Sequence, residues 1–190
     1  MGNRVKYIHN PVETLKVGTV GEPGARQFFI QVFSSLGRNT ISIEKIHLQA
    51  LVERLEELIR ELRRQKLATV DDLNREFKKT STDLDFPVEE DFQAGIMGIT
   101  WLPELQKVSL EIQEISDQVE FSELVQIDDD TSDFDYPPDI LQAILEIYQI
   151  RSFIKSAVQV IASGRAPCPF CGLPIDISGH LCPRSNGYKR

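Results

Sequence analysis

Cysteine, methionine and tryptophan are scarce in this chain, at three, two and one among 190 residues. The cysteines are an odd set, Cys168, Cys171 and Cys182, all close to one end. That excludes a disulfide framework for the remainder and, in a reducing compartment, favours a metal. Long apolar runs are also missing. The longest are a few residues, such as Phe28-Phe29-Ile30, too short for a spanning helix or a signal-peptide core. Met1-Gly2-Asn3-Arg4-Val5-Lys6 lacks the Ser or Thr of a myristoylation site. These absences make a cytoplasmic protein the expectation. Cations are outnumbered, with 21 Lys and Arg against 29 Asp and Glu and a formal charge of -8, which disfavours binding nucleic acid or anionic lipid with the whole surface.

What is present is enough to build a core. Hydrophobic residues make up 41% and charged residues 26%, the balance of a globular chain. The length fits one domain with at most an appendage. Val17 to Val20 and Arg26 to Phe33 flank Gly21-Glu22-Pro23-Gly24, the pattern of a hairpin. A third strand is expected at Thr40 to Ile43. Leu48, Leu51, Val52, Leu55, Leu58, Ile59 and Leu62 then form one apolar stripe on a helix from about Glu44 to Gln65. A short helical piece at 71–77 leads to a polar connection at 80–87.

Phe92 to Trp101 and Lys107 to Ile115 alternate apolar and polar positions around a turn at Leu102-Pro103-Glu104, a second strand pair. Between Val108 and Ile150 there are twelve acids and no Lys or Arg, densest at Asp128 to Asp135, a run that repels itself and stays solvated. After Pro137-Pro138, a strand at 140–147 and a helix at 149–163 ending at Gly164 compete with one long helix over 138–164. Aligning Glu44 with Glu146 superposes the apolar positions of 43–52 on those of 145–154. This favours the strand and an α+β fold: two related β-β-β-α halves, about 1–79 and 91–164, forming a largely antiparallel sheet with helices on one face. The body is then 1–164, and 165–190 is a zinc-binding C-terminal module, a knuckle appended to it.

The module carries the chemistry. In Cys168-Pro169-Phe170-Cys171-Gly172 two thiolates separated by two residues can grip one ion from a tight turn, and Gly172 removes a crowding Cβ. His180 and Cys182 complete a Cys₃His tetrahedron with no position open for water, which selects a single structural zinc. Only one residue separates His180 from Cys182, so Asp176 is the alternative fourth ligand. Cys-Pro-Phe-Cys also resembles the redox pair of glutaredoxin-like proteins, but Gly172 and Pro174 obstruct the helix that would activate the first thiol. The tail has too few apolar residues to fold alone.

Other patterns have plain explanations. Gly18, Gly21 and Gly24 lack the Gly-Lys-Ser/Thr of a phosphate loop. Asp128, Asp130 and Ser132 lack the glycine and the twelfth-position Glu of a calcium loop. His9 and His47 accompany no hydrolase or deaminase motif and are expected on the surface. Trp101, Phe28, Phe29 and Phe33 are expected in the sheet core. Arg165, Arg184, Lys189 and Arg190, against Asp176 alone, make the last 26 residues locally positive. Arg184, Tyr188, Lys189 and Arg190 are therefore candidate partner-binding residues.

The run Gly164 to Pro174, together with Gly179-His180-Leu181-Cys182-Pro183-Arg184-Ser185-Asn186-Gly187-Tyr188-Lys189-Arg190, resembles the C-terminus of an uncharacterised actinobacterial family, domain-of-unknown-function family thirty-ninety. Val17 to Phe29, Ile43-Glu44-Lys45 and Phe92-Gln93-Ala94-Gly95 are similar to it as well. The resemblance implies the metal role for Cys168, Cys171, His180 and Cys182 and implies no activity. Three functions follow as expectations: a non-catalytic zinc-binding adaptor for an unidentified protein partner; an enzyme or enzyme subunit with a structural zinc; and a nucleic-acid binder using the basic tail.

Overall fold

A computed structural model describes residues 7–75, 80–115, 138–164, 168–173, 175 and 179–184. The strands are β1 (Tyr7–His9), β2 (Thr14–Val20), β3 (Gln27–Ser34), β4 (Gly37–Ile43), β5 (Thr80–Ser81), β6 (Phe92–Leu102), β7 (Lys107–Glu114) and β8 (Ile140–Leu145). The helices are α1 (Lys45–Arg64), α2 (Val70–Asn74) and α3 (Ile147–Ala162). The strands form one sheet in the order β1-β8-β7-β6-β4-β3-β2-β5. The pairings β2–β3, β3–β4, β6–β7 and β7–β8 are antiparallel. The parallel pairings are short ones, β1 with β8, β2 with β5, and β4 with β6 at the centre. The fold is thus α+β, with the run β-β-β-α occurring as β2-β3-β4-α1 and again as β6-β7-β8-α3.

Alternation on the strands decides which face is covered. Leu15, Val17, Phe28, Ile30, Val32, Ile41 and Ile43 in the first run, and Leu110, Ile112, Leu141, Ala143 and Leu145 in the second, share one core cluster with α1 and α3. These are every-other-residue positions, which point to one face of a pleated strand. The apolar stripe of α1 is buried as its spacing predicts, with Leu58 partly buried at its edge. Glu44 caps α1 without a side-chain hydrogen bond. A cap contributes about 1 kcal/mol, whereas each buried Leu or Ile contributes about 1.5–3 kcal/mol, so packing rather than capping fixes where this helix lies. The short α2 is the opposite case: the Asp72 amide donates to Thr69 Oγ1 at 3.1 Å and the Thr69 amide to Asp72 Oδ2 at 2.9 Å.

The strand expected at 140–147 is present and ends at Leu145, because Glu146 is already the N-cap of α3. It pairs on both sides, with β7 and with β1, which rules out one helix over 138–164. The polar connection at 80–87 acts as a cover for the second sheet face. Gln31 is fully buried there; its Nε2 donates to the Asp85 carbonyl at 3.0 Å and its Oε1 accepts the Asp85 amide at 2.8 Å. Arg38 donates to the carbonyls of Asp85 and Pro87, and Lys16 pairs with the Asp85 carboxylate at 2.6 Å. Gly18 allows this close approach, since a Cβ on it would lie 2.6 Å from the Thr82 carbonyl oxygen.

Two expectations are corrected. His9 is not on the surface; it is 2% exposed, because β1 lies in the sheet and delivers its ring against the β3–β4 hairpin. His47 is half-buried and its Nδ1 is shielded without a partner. The aromatic residues do not all fill one core either. Phe28 joins the central cluster while the adjacent Phe29 is buried outside it, as strand alternation requires, and Trp101 is only partly buried against the cluster. The calcium-like run at Asp128 to Ser132 lies outside the described residues.

Candidate metal centre

Local chain geometry assembles the centre. A turn at 168–173 is closed by two backbone bonds, Gly172 N–H to the Cys168 carbonyl at 2.8 Å and Cys168 N–H to the Leu173 carbonyl at 2.7 Å. Gly172 adopts φ +75° with open space around it, a left-handed conformation that glycine takes at least cost. The turn places Cys168 and Cys171 on one side of a small space and the segment 179–184 supplies the other side. Gly179, at φ +85°, turns the chain just before His180 and Cys182.

The ligand atoms of Cys168, Cys171, His180 and Cys182 all lie within 4.8 Å of one another. Cys168 Sγ is 3.8 Å from Cys182 Sγ, and Cys171 Sγ is 3.2 Å from His180 Nε2. Zn–S bonds of about 2.3 Å in a tetrahedron imply an S···S edge of about 3.8 Å, whereas a disulfide requires about 2.05 Å. No disulfide joins the three cysteines, and their spacing suits a shared ion. Cys168 and Cys182 are buried, at 5% and 7% exposure, while Cys171 and His180 are half-buried.

Burial acts to raise the Cys168 thiol's pKa, but the backbone N–H groups of Cys171 and Phe170, with the thiols of Cys171 and Cys182, outweigh it and hold Cys168 below an ordinary thiol. Cys171 moves the other way, pushed up first by desolvation and then by its two sulfur neighbours. Crowded thiols that cannot all ionise unaided are what a cation would relieve, since the metal ligand is the thiolate. The donor set fits zinc, soft sulfur and imidazole in a closed shell, and the four residues could hold a metal ion.

His180 stands in the cluster; Asp176, the alternative fourth ligand, lies outside the described residues, as do Arg165, Tyr188, Lys189 and Arg190. Of the predicted partner-binding residues only Arg184 is described. It donates to the Phe170 carbonyl at 3.0 Å and so braces the turn from the other segment. Sequence reasoning missed the apolar shell. Phe170, Leu173 and Leu181 are 61%, 51% and 87% exposed, and their placement between the ligands was the available signal.

Elsewhere, an open depression of about 480 Å³ is lined by Arg26, Ser42, Lys45 and Gln93, and a second of about 420 Å³ adjoins it at Arg26, Phe28 and Lys45. No helix among the described residues is long and apolar enough to cross a membrane.

The chain belongs to the family described as a protein of unknown function, DUF3090, whose model matches residues 7–182. No curated protein and no solved structure matches it.

Proposed function

We propose that this member of the DUF3090 family is a zinc-stapled adaptor: one structural zinc, held by Cys168, Cys171, His180 and Cys182, braces a small C-terminal module that docks a protein partner. The ion performs no chemistry, because four protein ligands leave no site for water or substrate. The observation that carries the reading is the exposure of Phe170, Leu173 and Leu181 around buried sulfurs. Three large apolar side chains on so short a segment gain nothing for folding while they face water. Large exposed apolar side chains set among polar neighbours are what a protein interface uses. Arg184, bonded to the Phe170 carbonyl, sets a cation beside these side chains. The cysteines stay reduced in the cytoplasm, where such a site would fill.

The test is quantitative affinity capture with the full chain, compared with a Phe170→Ser, Leu173→Ser, Leu181→Ser variant and with Cys168→Ser. Support is a partner lost in both variants whose purified form binds the intact chain at fixed stoichiometry and fails to bind the triple variant while zinc content in that variant is unchanged. Equal capture by all three chains overturns the docking surface.

A further inference from the structure

A second constellation lies in the body, on β1 and the β3–β4 hairpin, and stands independently of the metal reading. His9 Nε2 is 2.9 Å from Asn39 Oδ1, and His9 Nδ1 is 2.9 Å from Ser34 Oγ. Asn39 Oδ1 only accepts, so Nε2 carries the ring proton and Nδ1 is the bare nitrogen. The Ser34 hydroxyl must then donate to Nδ1. The same Oγ accepts the Leu36 amide at 3.2 Å, which leaves its one proton for the imidazole. A hydroxyl pointed at a bare imidazole nitrogen, with the ring's other N–H held by a third side chain, is the arrangement that activates a serine nucleophile.

We propose that Ser34 is a reactive nucleophile, activated by His9 as base and positioned through Asn39, and that it accepts acyl groups from activated carboxylic esters and thioesters. In the step, Ser34 Oγ attacks the acyl carbon and forms an ester bond. The carbon–oxygen or carbon–sulfur bond to the leaving group breaks, and the leaving group departs with the electron pair. The Oγ proton passes to His9 Nδ1 and returns to the leaving group. Aryloxides and thiolates are good leaving groups that need no acid beyond the proton His9 returns, which sets this substrate class.

Three features distinguish this from a histidine that merely ties strands together. The ring is 2% exposed, and burial lowers its pKa from the ordinary 6.5 against the opposing pull of Asn39 and Asp91, so it is a neutral base. Ser34 itself is only half-buried. The neighbouring turn is open: Leu36 is 78% exposed and a Cβ added to Gly37 would meet nothing within 4 Å, and the acyl donor is proposed to approach across it. The Leu36 amide occupies one lone pair of Oγ and leaves the other for attack.

The experiment is labelling of the intact full-length protein with a fluorophosphonate probe, whose phosphorus–fluorine bond replaces the acyl linkage, followed by peptide mass spectrometry. Ser34 is expected to be labelled at least 10-fold faster than the adjacent Ser35, a comparison internal to the unaltered protein. His9→Gln should slow Ser34 labelling by about 100-fold, the scale of lost general-base assistance. Asn39→Ala should slow it and Asn39→Asp should restore it, a rescue that a purely structural role would not produce. Circular dichroism checks that each variant folds. Labelling of Ser34 no faster than that of Ser35 overturns the proposal whatever the variants do.

Discussion

Cys168 and Cys182 hold their sulfur atoms 3.8 Å apart with both side chains buried. Two thiols at that distance share an S–H···S contact but no disulfide, and burying them together gains little by itself. A shared cation changes the balance, because it converts repelling thiolates into ligands and removes the cost of their desolvation. For such a cation, the turn at Gly172 and the Arg184 bond to the Phe170 carbonyl would serve one purpose, keeping the segments 168–173 and 179–184 close together.

Metal content follows directly. Elemental analysis of protein purified without added metal should find about one zinc per chain, and Cys168→Ser should lose it. Cobalt substitution should give the absorption of a tetrahedral thiolate site with no exchangeable solvent ligand. The body, with its own core cluster, should keep its circular dichroism signal when a chelator strips the ion. Loss of the whole fold on chelation would show the module to be part of the core instead.

What the sequence discloses depends on how local the controlling contact is. The stripe from Leu48 to Leu62 repeats every three or four residues, so α1 is legible before any tertiary contact is known. Glu44 and Glu146, aligned by their apolar neighbours, are both helix N-caps, because each strand-to-helix junction repeats the same pattern. The strand β1 carries no such signal. Its three residues pair with Leu141, Gln142 and Ala143 far along the chain, and only that pairing makes His9 a buried residue. The Cys168, Cys171, His180 and Cys182 cluster, which could hold a metal ion, was legible because a chelating turn is short; the exposed apolar side chains around it were not, since exposure is a property of the fold.

Gly18 offers a test of the cover over the second sheet face. A methyl group there would sit 2.6 Å from the Thr82 carbonyl oxygen and 2.7 Å from Leu84 Cγ. The first of these is backbone and cannot rotate away. Gly18→Ala should therefore destabilise the protein by about 1–3 kcal/mol, the usual cost of overpacking, despite alanine's lower backbone entropy cost. Urea unfolding measures it; a neutral or stabilising result would mean that the 82–84 segment does not rest on β2.

Stability should also depend on His9. Its folded pKa lies below the ordinary 6.5, through burial first, with Asn39 and Asp91 opposing. Below about pH 6.5 the unfolded chain binds a proton that the folded chain resists, so unfolding is favoured as pH falls and stability is fully present only above that value. Urea midpoints should drop between pH 7.5 and 5.5, and His9→Gln should flatten that part of the profile. An unchanged slope in the variant would assign the acid sensitivity to other groups.

Gln149 joins the start of α3 to the first strands. Its Oε1 accepts the Glu146 amide at 2.8 Å and its Nε2 donates to the Val12 carbonyl at 2.8 Å, with the side chain 3% exposed. Both partners are backbone groups that cannot easily find another mate. Gln149→Ala should strand an orphan donor and an orphan acceptor, each costing about 1–3 kcal/mol where water is excluded, and should leave a cavity as well. Gln149→Glu keeps the acceptor for Glu146 but turns a carboxylate toward the Val12 carbonyl, so it should be at least as damaging at pH 7 and should recover part of its stability in acid as the carboxyl protonates. Thermal unfolding of the two variants at both pH values distinguishes this pairing from a simple packing role, for which Gln149→Leu would be well tolerated.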